Sequence, residues 1–166
     1  MVFKAMYNQL CSPKVHEYLR AHTDIRVIHL RRGNLLKQYT SKTLMGKKRD
    51  GRWQPHSTSK MRAVSTHVSP QAAIRDMQFV QQQFDVYEDL LSNHKKIELV
   101  YEDMIDGQCL TDAAMHAICD LLEVEPAPMC CDFVKTNPDK LELVVENYQE
   151  LASALAGTEF ERYLRD

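Results

Sequence analysis

The sequence has no long apolar run and no strong charge of either sign. No stretch approaches the roughly 20 apolar residues that a transmembrane helix needs, so we expect no membrane segment. The first eleven residues are too few and too mixed in polarity for a signal peptide. The net charge of −2 excludes a global field that would attract nucleic acid or a membrane surface. Any anion site must therefore be local.

The cysteines lack the spacing of a metal site. The sequence has five of them, no two form a CxxC pair, and no histidine cluster accompanies them. We therefore expect no metal site and predict buried free thiols in a reducing compartment. The composition is typical of a cytoplasmic protein, although the localisation stays open because a targeting segment would lie upstream. The cysteines are Cys11, Cys109, Cys119, Cys130 and Cys131.

The length of 166 residues, with 44% hydrophobic residues, suits one soluble domain over residues 1–166. The first third alternates between strand and helix patterns. Val2–Met6 and Ile25–Leu30 are predicted strands, a helix begins at Ser12-Pro13, and Asn34 is the predicted N-cap of a second helix. This alternation predicts an α/β fold with a parallel sheet flanked by helices.

The rest of the chain continues the pattern after a basic segment. Residues 46–65 are rich in Lys and Arg around Trp53 and predict a long loop. Three further helices and one strand are predicted from apolar periodicity and capping residues. They are a helix from Ser69-Pro70 to about Asn93, a strand at Lys96–Tyr101, a helix from Thr111 to Leu122, and a last long helix from Asn137-Pro138 to Gly157.

Residues 27–41, VIHLRRGNLLKQYTS, are the candidate binding segment. The pattern places Arg31 and Arg32 at the carboxyl end of a buried strand, where open α/β sheets bind ligands. The next helix begins at Asn34, and Ser41 lies about two turns along it. Arginine beside a helix N-terminus suits a phosphate group. The alternative is that both arginines pair with carboxylates at the sheet edge. In the same strand, His29 reads as a hydrogen-bonded core histidine in preference to a base.

This segment resembles the 3′-phosphate site of sulfotransferases that use 3′-phosphoadenosine 5′-phosphosulfate (PAPS). In that family an arginine precedes an Asn-containing turn, and a serine follows the Asn by seven residues, as Asn34 and Ser41 do here. Gly33 separates Arg32 from Asn34, so the phosphate contact falls to Arg31 or Arg32. The resemblance extends from about Val2 to Leu164. Val2–Tyr7 is similar to the strand that precedes this site in bacterial-type and carbohydrate-type members. The other motifs are the strand end Leu99–Met104, the helix at Ile118–Val124, and the closing residues Asn137, Pro138, Asn147, Tyr148, Glu150, Leu151, Gly157 and Thr158.

The resemblance implies a partial sulfotransferase domain that transfers a sulfuryl group from PAPS to a hydroxyl or amine. The family's phosphate loop is not found in residues 1–166 and would lie upstream of Met1, so the P-loop-type domain is incomplete and the chain alone is expected to be weakly active. Lys135 is a candidate to close over the nucleotide. The catalytic base is unknown, with Lys4 and Tyr7 as candidates.

The same resemblance leans towards carbohydrate-type or bacterial members and so towards a carbohydrate acceptor, while lipid, small phenol and protein tyrosine acceptors stay open. A missing first strand would leave an exposed sheet edge, so we predict some self-association. The alternative function is a non-catalytic relative that binds a nucleotide or a partner. A phosphate-loop kinase relative is disfavoured, because the spacing from Arg32 to Ser41 does not belong to kinases.

Overall fold

The structure is a computed structural model that describes residues 2–45, 64–132, 138 and 140–165. The chain divides into two compact units. The first contains Met1–Arg31, Val80–Asp106 and Leu110–Met129, and the second contains Arg32–Phe79, Gly107–Cys109 and Cys130–Asp166. Most of the predicted basic loop, together with Lys135, lies outside the described residues.

The described residues form seven α-helices, four strands and two 3₁₀ turns. The helices are α1 (Tyr7–Leu10), α2 (Pro13–Ala21), α3 (Leu35–Met45), α4 (Pro70–Leu90), α5 (Tyr101–Met104), α6 (Asp112–Leu122) and α7 (Tyr148–Leu155). The strands are β1 (Val27–Arg31), β2 (Lys96–Val100), β3 (Ile105–Asp106) and β4 (Cys109–Leu110), and the 3₁₀ turns are Leu141–Leu143 and Glu161–Leu164.

The first unit is built on β1 and β2, which pair in parallel with Val27 opposite Lys96 and Arg31 opposite Val100. The α/β prediction is thus confirmed as a small parallel two-stranded sheet with helices around it. Leu19 of α2 packs with Tyr87, Leu90 and Leu91, at and after the end of α4. Val27, the first residue of β1, also packs against this cluster.

Three predicted helix starts are confirmed by local chemistry. Pro13 occupies the first position of α2, where its missing N–H removes no helical bond. Thr111 caps α6 by accepting a hydrogen bond from the N–H of Ala114 at 3.4 Å. The helix predicted at Ser69-Pro70 begins at Pro70. Helix starts of this kind are readable in sequence because their bonds span only a few residues.

The predicted strand at Val2–Met6 is wrong. These five residues have no regular secondary structure in the described chain, and all five are exposed. A strand is stabilised by hydrogen bonds to a neighbouring strand, and no described segment pairs with residues 2–6. Lys4 therefore lies in an exposed segment.

The last long helix, predicted from Asn137-Pro138 to Gly157, is shorter in the structure. Instead of one helix, the chain forms a 3₁₀ turn at Leu141–Leu143 and then α7. Between them, Thr66 donates its N–H to the carbonyl of Val144 at 2.8 Å, and the N–H of Glu146 donates to the carbonyl of Thr66 at 2.9 Å. These tertiary bonds occupy the backbone groups that a continuous helix would use.

The prediction of free thiols is wrong for one pair. Cys109 and Cys130 form a disulfide within the second unit, at a Cα–Cα distance of 4.0 Å. The N–H of Cys131 donates to the carbonyl of Gln108 at 2.9 Å, which aligns the two segments in antiparallel fashion. Cys119 is buried and free, whereas Cys11 and Cys131 are exposed. Only Cys119 fits the expectation of a buried free thiol.

Candidate functional site

The N-terminus of α3 carries the predicted phosphate-binding segment. The side-chain oxygen of Asn34 accepts a hydrogen bond from the N–H of Lys37 at 2.9 Å, so Asn34 caps the helix as predicted. Its side-chain amide donates to the carbonyl of Tyr163 at 2.9 Å. Asn34 therefore orients the start of α3 and attaches it to the last turn of the second unit.

In the sequence, Arg32 precedes the capping residue Asn34 by two positions and Ser41 follows it by seven. All three belong to the second unit. Arg32 is half-buried and directly precedes the turn at Gly33. Ser41 is also half-buried and follows Asn34 by seven residues, which is about two helical turns. Residues separated by two turns share a helix face. Lys37 lies in the first turn of α3 and adds a cation to that of Arg32, which precedes the helix. Lys37 was not among the predicted site residues.

Arg31 belongs to the first unit and has a different environment. Its guanidinium donates to a side-chain oxygen of Glu98 at 2.8 Å and lies 4.4 Å from the centre of the Phe84 ring. The hydrogen bond with Glu88, and then the one from Arg31, lower the pKa of Glu98 to about 2. For Arg31 the structure thus has the carboxylate pairing that was the alternative to an anion site.

Tyr7 and His29 form a hydrogen-bonded pair inside the first unit. The Tyr7 hydroxyl lies 2.6 Å from Nε2 of His29, and its ring stacks on Tyr87 with a centroid distance of 5.2 Å. His29 is only 6% exposed, which confirms the prediction of a hydrogen-bonded core histidine. Burial lowers the pKa of His29 and raises the pKa of Tyr7, so both groups are neutral at pH 7.

His29 also belongs to a cluster of potential metal ligands that the sequence did not predict. His29, Glu88 and Glu98 each offer one potential ligand atom, and these atoms lie within 4.8 Å of one another. The three residues come from β1, α4 and β2. His29 lies 59 residues before Glu88, whereas Glu88 and Glu98 are ten residues apart. The one sequence signal was the alternation of side chains along β2, which places Glu98 on the face opposite to Ile97 and Leu99.

A surface depression of about 370 Å³ lies at the N-terminal end of α7. Its lining includes Glu142, Glu146 and Glu150. Three carboxylates repel an anionic nucleotide, so this depression does not suit PAPS.

The described helices include none that is both long and apolar enough to cross a membrane. Comparison of the chain with protein-family models, with curated proteins and with solved structures finds no match in any of the three.

Proposed function

We propose that the chain is part of a PAPS-dependent sulfotransferase domain and that Arg32 and Ser41 bind the 3′-phosphate of the nucleotide. The observation that carries this proposal is the cap of α3. Asn34 holds the first turn by accepting the hydrogen bond from Lys37, and Ser41 follows two turns later at the spacing of the family. The P-loop-type fold, the PAPS cofactor and the sulfuryl transfer all belong to this proposal.

The physical reason is that the site concentrates donors for an anion. A helix N-terminus has backbone N–H groups without helical partners and the positive end of the helix dipole. An arginine fork adds two parallel hydrogen bonds to phosphate oxygens. Each charge-assisted hydrogen bond contributes about 1.5–3 kcal/mol. Arg32, the first turn of α3 and the Ser41 hydroxyl together supply these three kinds of donor.

Arg32 is a better candidate than Arg31 for the phosphate contact. Arg31 already donates to Glu98 at 2.8 Å and lies over Phe84. Transfer of its guanidinium to a phosphate would leave the Glu98 carboxylate without that partner. Arg32 belongs to the same unit as Asn34 and Ser41 and directly precedes the turn at Gly33. We therefore assign Arg32 to the 3′-phosphate.

In the proposed reaction, an acceptor oxygen or nitrogen attacks the sulfur while the bond from sulfur to the 5′-phosphate oxygen breaks. The acceptor proton passes to a base, and negative charge develops on the leaving phosphate, where cations stabilise it. Lys4 and Tyr7 remain candidates for the acceptor side, and Lys135 for closure over the nucleotide. The proposed acceptor is a carbohydrate. The second candidate function, a non-catalytic nucleotide-binding relative, shares the 3′-phosphate site but not the transfer.

The test is calorimetric titration of the chain with adenosine 3′,5′-bisphosphate. We expect Arg32→Ala and Ser41→Ala each to weaken binding, the arginine change by about tenfold or more. Arg31→Ala is the matched control and should change the affinity by less than about twofold. Far-UV circular dichroism checks that each variant folds. Absence of binding at millimolar nucleotide, or equal affinity in all variants, would contradict the proposed site. Detectable sulfate transfer from PAPS, even at the low rate expected of this chain alone, would favour the enzyme over the non-catalytic relative.

A further inference from the structure

Three elements of the first unit bring one imidazole and two carboxyl groups together. His29 and Glu98 are directly opposite each other in the β1–β2 register. Glu88, near the end of α4, completes the group, and the three potential ligand atoms lie within 4.8 Å of one another. This cluster contains none of the residues assigned to the phosphate site.

One ring nitrogen of the buried His29 has no hydrogen-bond partner among the described residues and faces Glu98. Its Nε2 is engaged with the Tyr7 hydroxyl at 2.6 Å. Its Nδ1 is buried and has no hydrogen-bond partner among the described residues. The nearest charged atom is a side-chain oxygen of Glu98 at 3.8 Å, which is too long for a hydrogen bond. Buried ring nitrogens without partners are uncommon in native proteins and call for an explanation.

The two carboxyl groups lie beside each other, and each is paired with a cation. Potential ligand atoms of Glu88 and Glu98 lie within 4.8 Å of each other. Lys96 donates to Glu88 at 2.7 Å and Arg31 donates to Glu98 at 2.8 Å. Each of these cations is hydrogen-bonded to one oxygen of its carboxylate.

We propose that His29, Glu88 and Glu98 form a binding site for a divalent transition-metal ion such as Zn²⁺. The ligands are Nδ1 of His29 and one oxygen from each carboxylate. A mixed set of imidazole and carboxylate suits zinc and the neighbouring transition ions better than it suits Mg²⁺ or Ca²⁺. Three protein ligands leave a further coordination position for water or another small ligand.

The geometry needs only small side-chain movements. Ligand atoms bound to a tetrahedral zinc ion at about 2.1 Å lie about 3.4 Å apart. The separation between His29 and Glu98 is 3.8 Å, which is slightly larger. Glu88 has a side chain that is 56% exposed, so a change of rotamer can bring its carboxylate closer. Tyr7 fixes the orientation of the His29 ring from the opposite nitrogen, as outer partners of metal-bound histidines do.

The cations beside the cluster give the site a distinctive signature. Lys96 and Arg31 compete with a metal ion for the same two carboxylates. Removal of one competitor should therefore strengthen metal binding, whereas removal of a ligand should weaken it. A general defect in folding cannot strengthen binding, so the two effects of opposite sign identify the site.

The experiment is calorimetric titration of the full 166-residue chain with ZnCl₂. We expect about one bound ion, with affinity lowered about tenfold or more by Glu88→Gln and by Glu98→Gln. Lys96→Gln should increase the affinity. Glu123→Gln is the matched control, because Glu123 is likewise a glutamate paired with cations, here Arg26 and Lys95, and no histidine joins its group among the described residues.

The exposed position of Glu88 makes Glu88→Gln a safe variant for folding, and circular dichroism checks each protein. Absence of zinc binding by the unmodified chain would overturn the proposal. Equal affinity in the Glu88→Gln variant, or no gain in the Lys96→Gln variant, would do the same. Replacement of zinc by Co²⁺ gives a second readout, because a sulfur charge-transfer band would place the ion on cysteine and contradict the assignment.

Discussion

The side chain of Asn147 binds both backbone groups of Val68. Its oxygen accepts from the Val68 N–H at 2.8 Å, and its amide donates to the Val68 carbonyl at 2.8 Å. Val68 is almost fully buried, so its backbone has no ready access to water. Asn147 thereby performs the role of a neighbouring strand, and it does so at the residue that precedes α7.

Substitution of Asn147 by alanine should destabilise the chain by about 2–4 kcal/mol, because two buried backbone groups lose their partners. Urea denaturation measures this change in the free energy of unfolding. Gln149→Ala is the matched control, since Gln149 is an exposed residue in the first turn of α7, two positions after Asn147. It should change stability by less than about 0.5 kcal/mol. Similar effects of the two substitutions would show that the Asn147 bonds contribute little.

Asn34 allows its two hydrogen bonds to be separated. Asn34→Ala removes both the cap of α3 and the bond to Tyr163, and should cost about 2 kcal/mol in unfolding free energy. Asn34→Asp keeps an acceptor for the N–H of Lys37 but loses the donor to Tyr163, so about 1 kcal/mol is expected. Urea denaturation of both variants measures the difference. Equal losses would mean that the cap contributes nothing measurable.

The lowered pKa of Glu123 predicts that the stability of the folded chain changes with pH in the acid range. Hydrogen bonds from Lys95 and then Arg26 lower the pKa of Glu123 from its ordinary value of 4.5 to about 2. A carboxyl group whose pKa is lower in the folded state stabilises that state above its unfolded pKa. The contribution is therefore present above about pH 4.5 and is lost as the pH falls towards 2.

The measurement compares unmodified protein with Glu123→Gln by thermal unfolding at neutral pH and at several values below pH 4.5. The difference in Tm should be largest at neutral pH and should shrink through the acid range. Glu17→Gln is a suitable control, because Glu17 is an exposed glutamate of the same unit. A difference in Tm that stays constant across the acid range would contradict the assignment.

The disulfide predicts both a thiol count and a loss of stability on reduction. Unfolded, unreduced protein should expose three thiols, those of Cys11, Cys119 and Cys131. Reduction should raise the count to the five cysteines of the sequence. The bridge spans a sequence separation of 21, and closure of such a loop stabilises by about 3 kcal/mol. Five reactive thiols before reduction would show that the bridge does not form.

The sequence predicted features whose causes are local. Asn34 and Thr111 cap helices through bonds to residues three positions away, so the residue type and its neighbours were sufficient. The alternation of strand and helix predicted a parallel sheet flanked by helices, and β1 and β2 form a small one, but it did not predict which strands pair. Asn147 was noted as part of a motif, but its partner at Val68 lies 79 residues away and has no local signal.

What the sequence alone determined is therefore the α/β class, the approximate position of most elements, and the arginine, asparagine and serine spacing before and within α3. Tertiary structure decided the division of the predicted last helix, the bridge between Cys109 and Cys130, and the pairing of Arg31 with Glu98. It also assembled His29, Glu88 and Glu98 from separate elements. The physical reason is one of range: capping and periodicity act within a few residues, whereas strand register and disulfide geometry depend on segments that meet only in the folded chain.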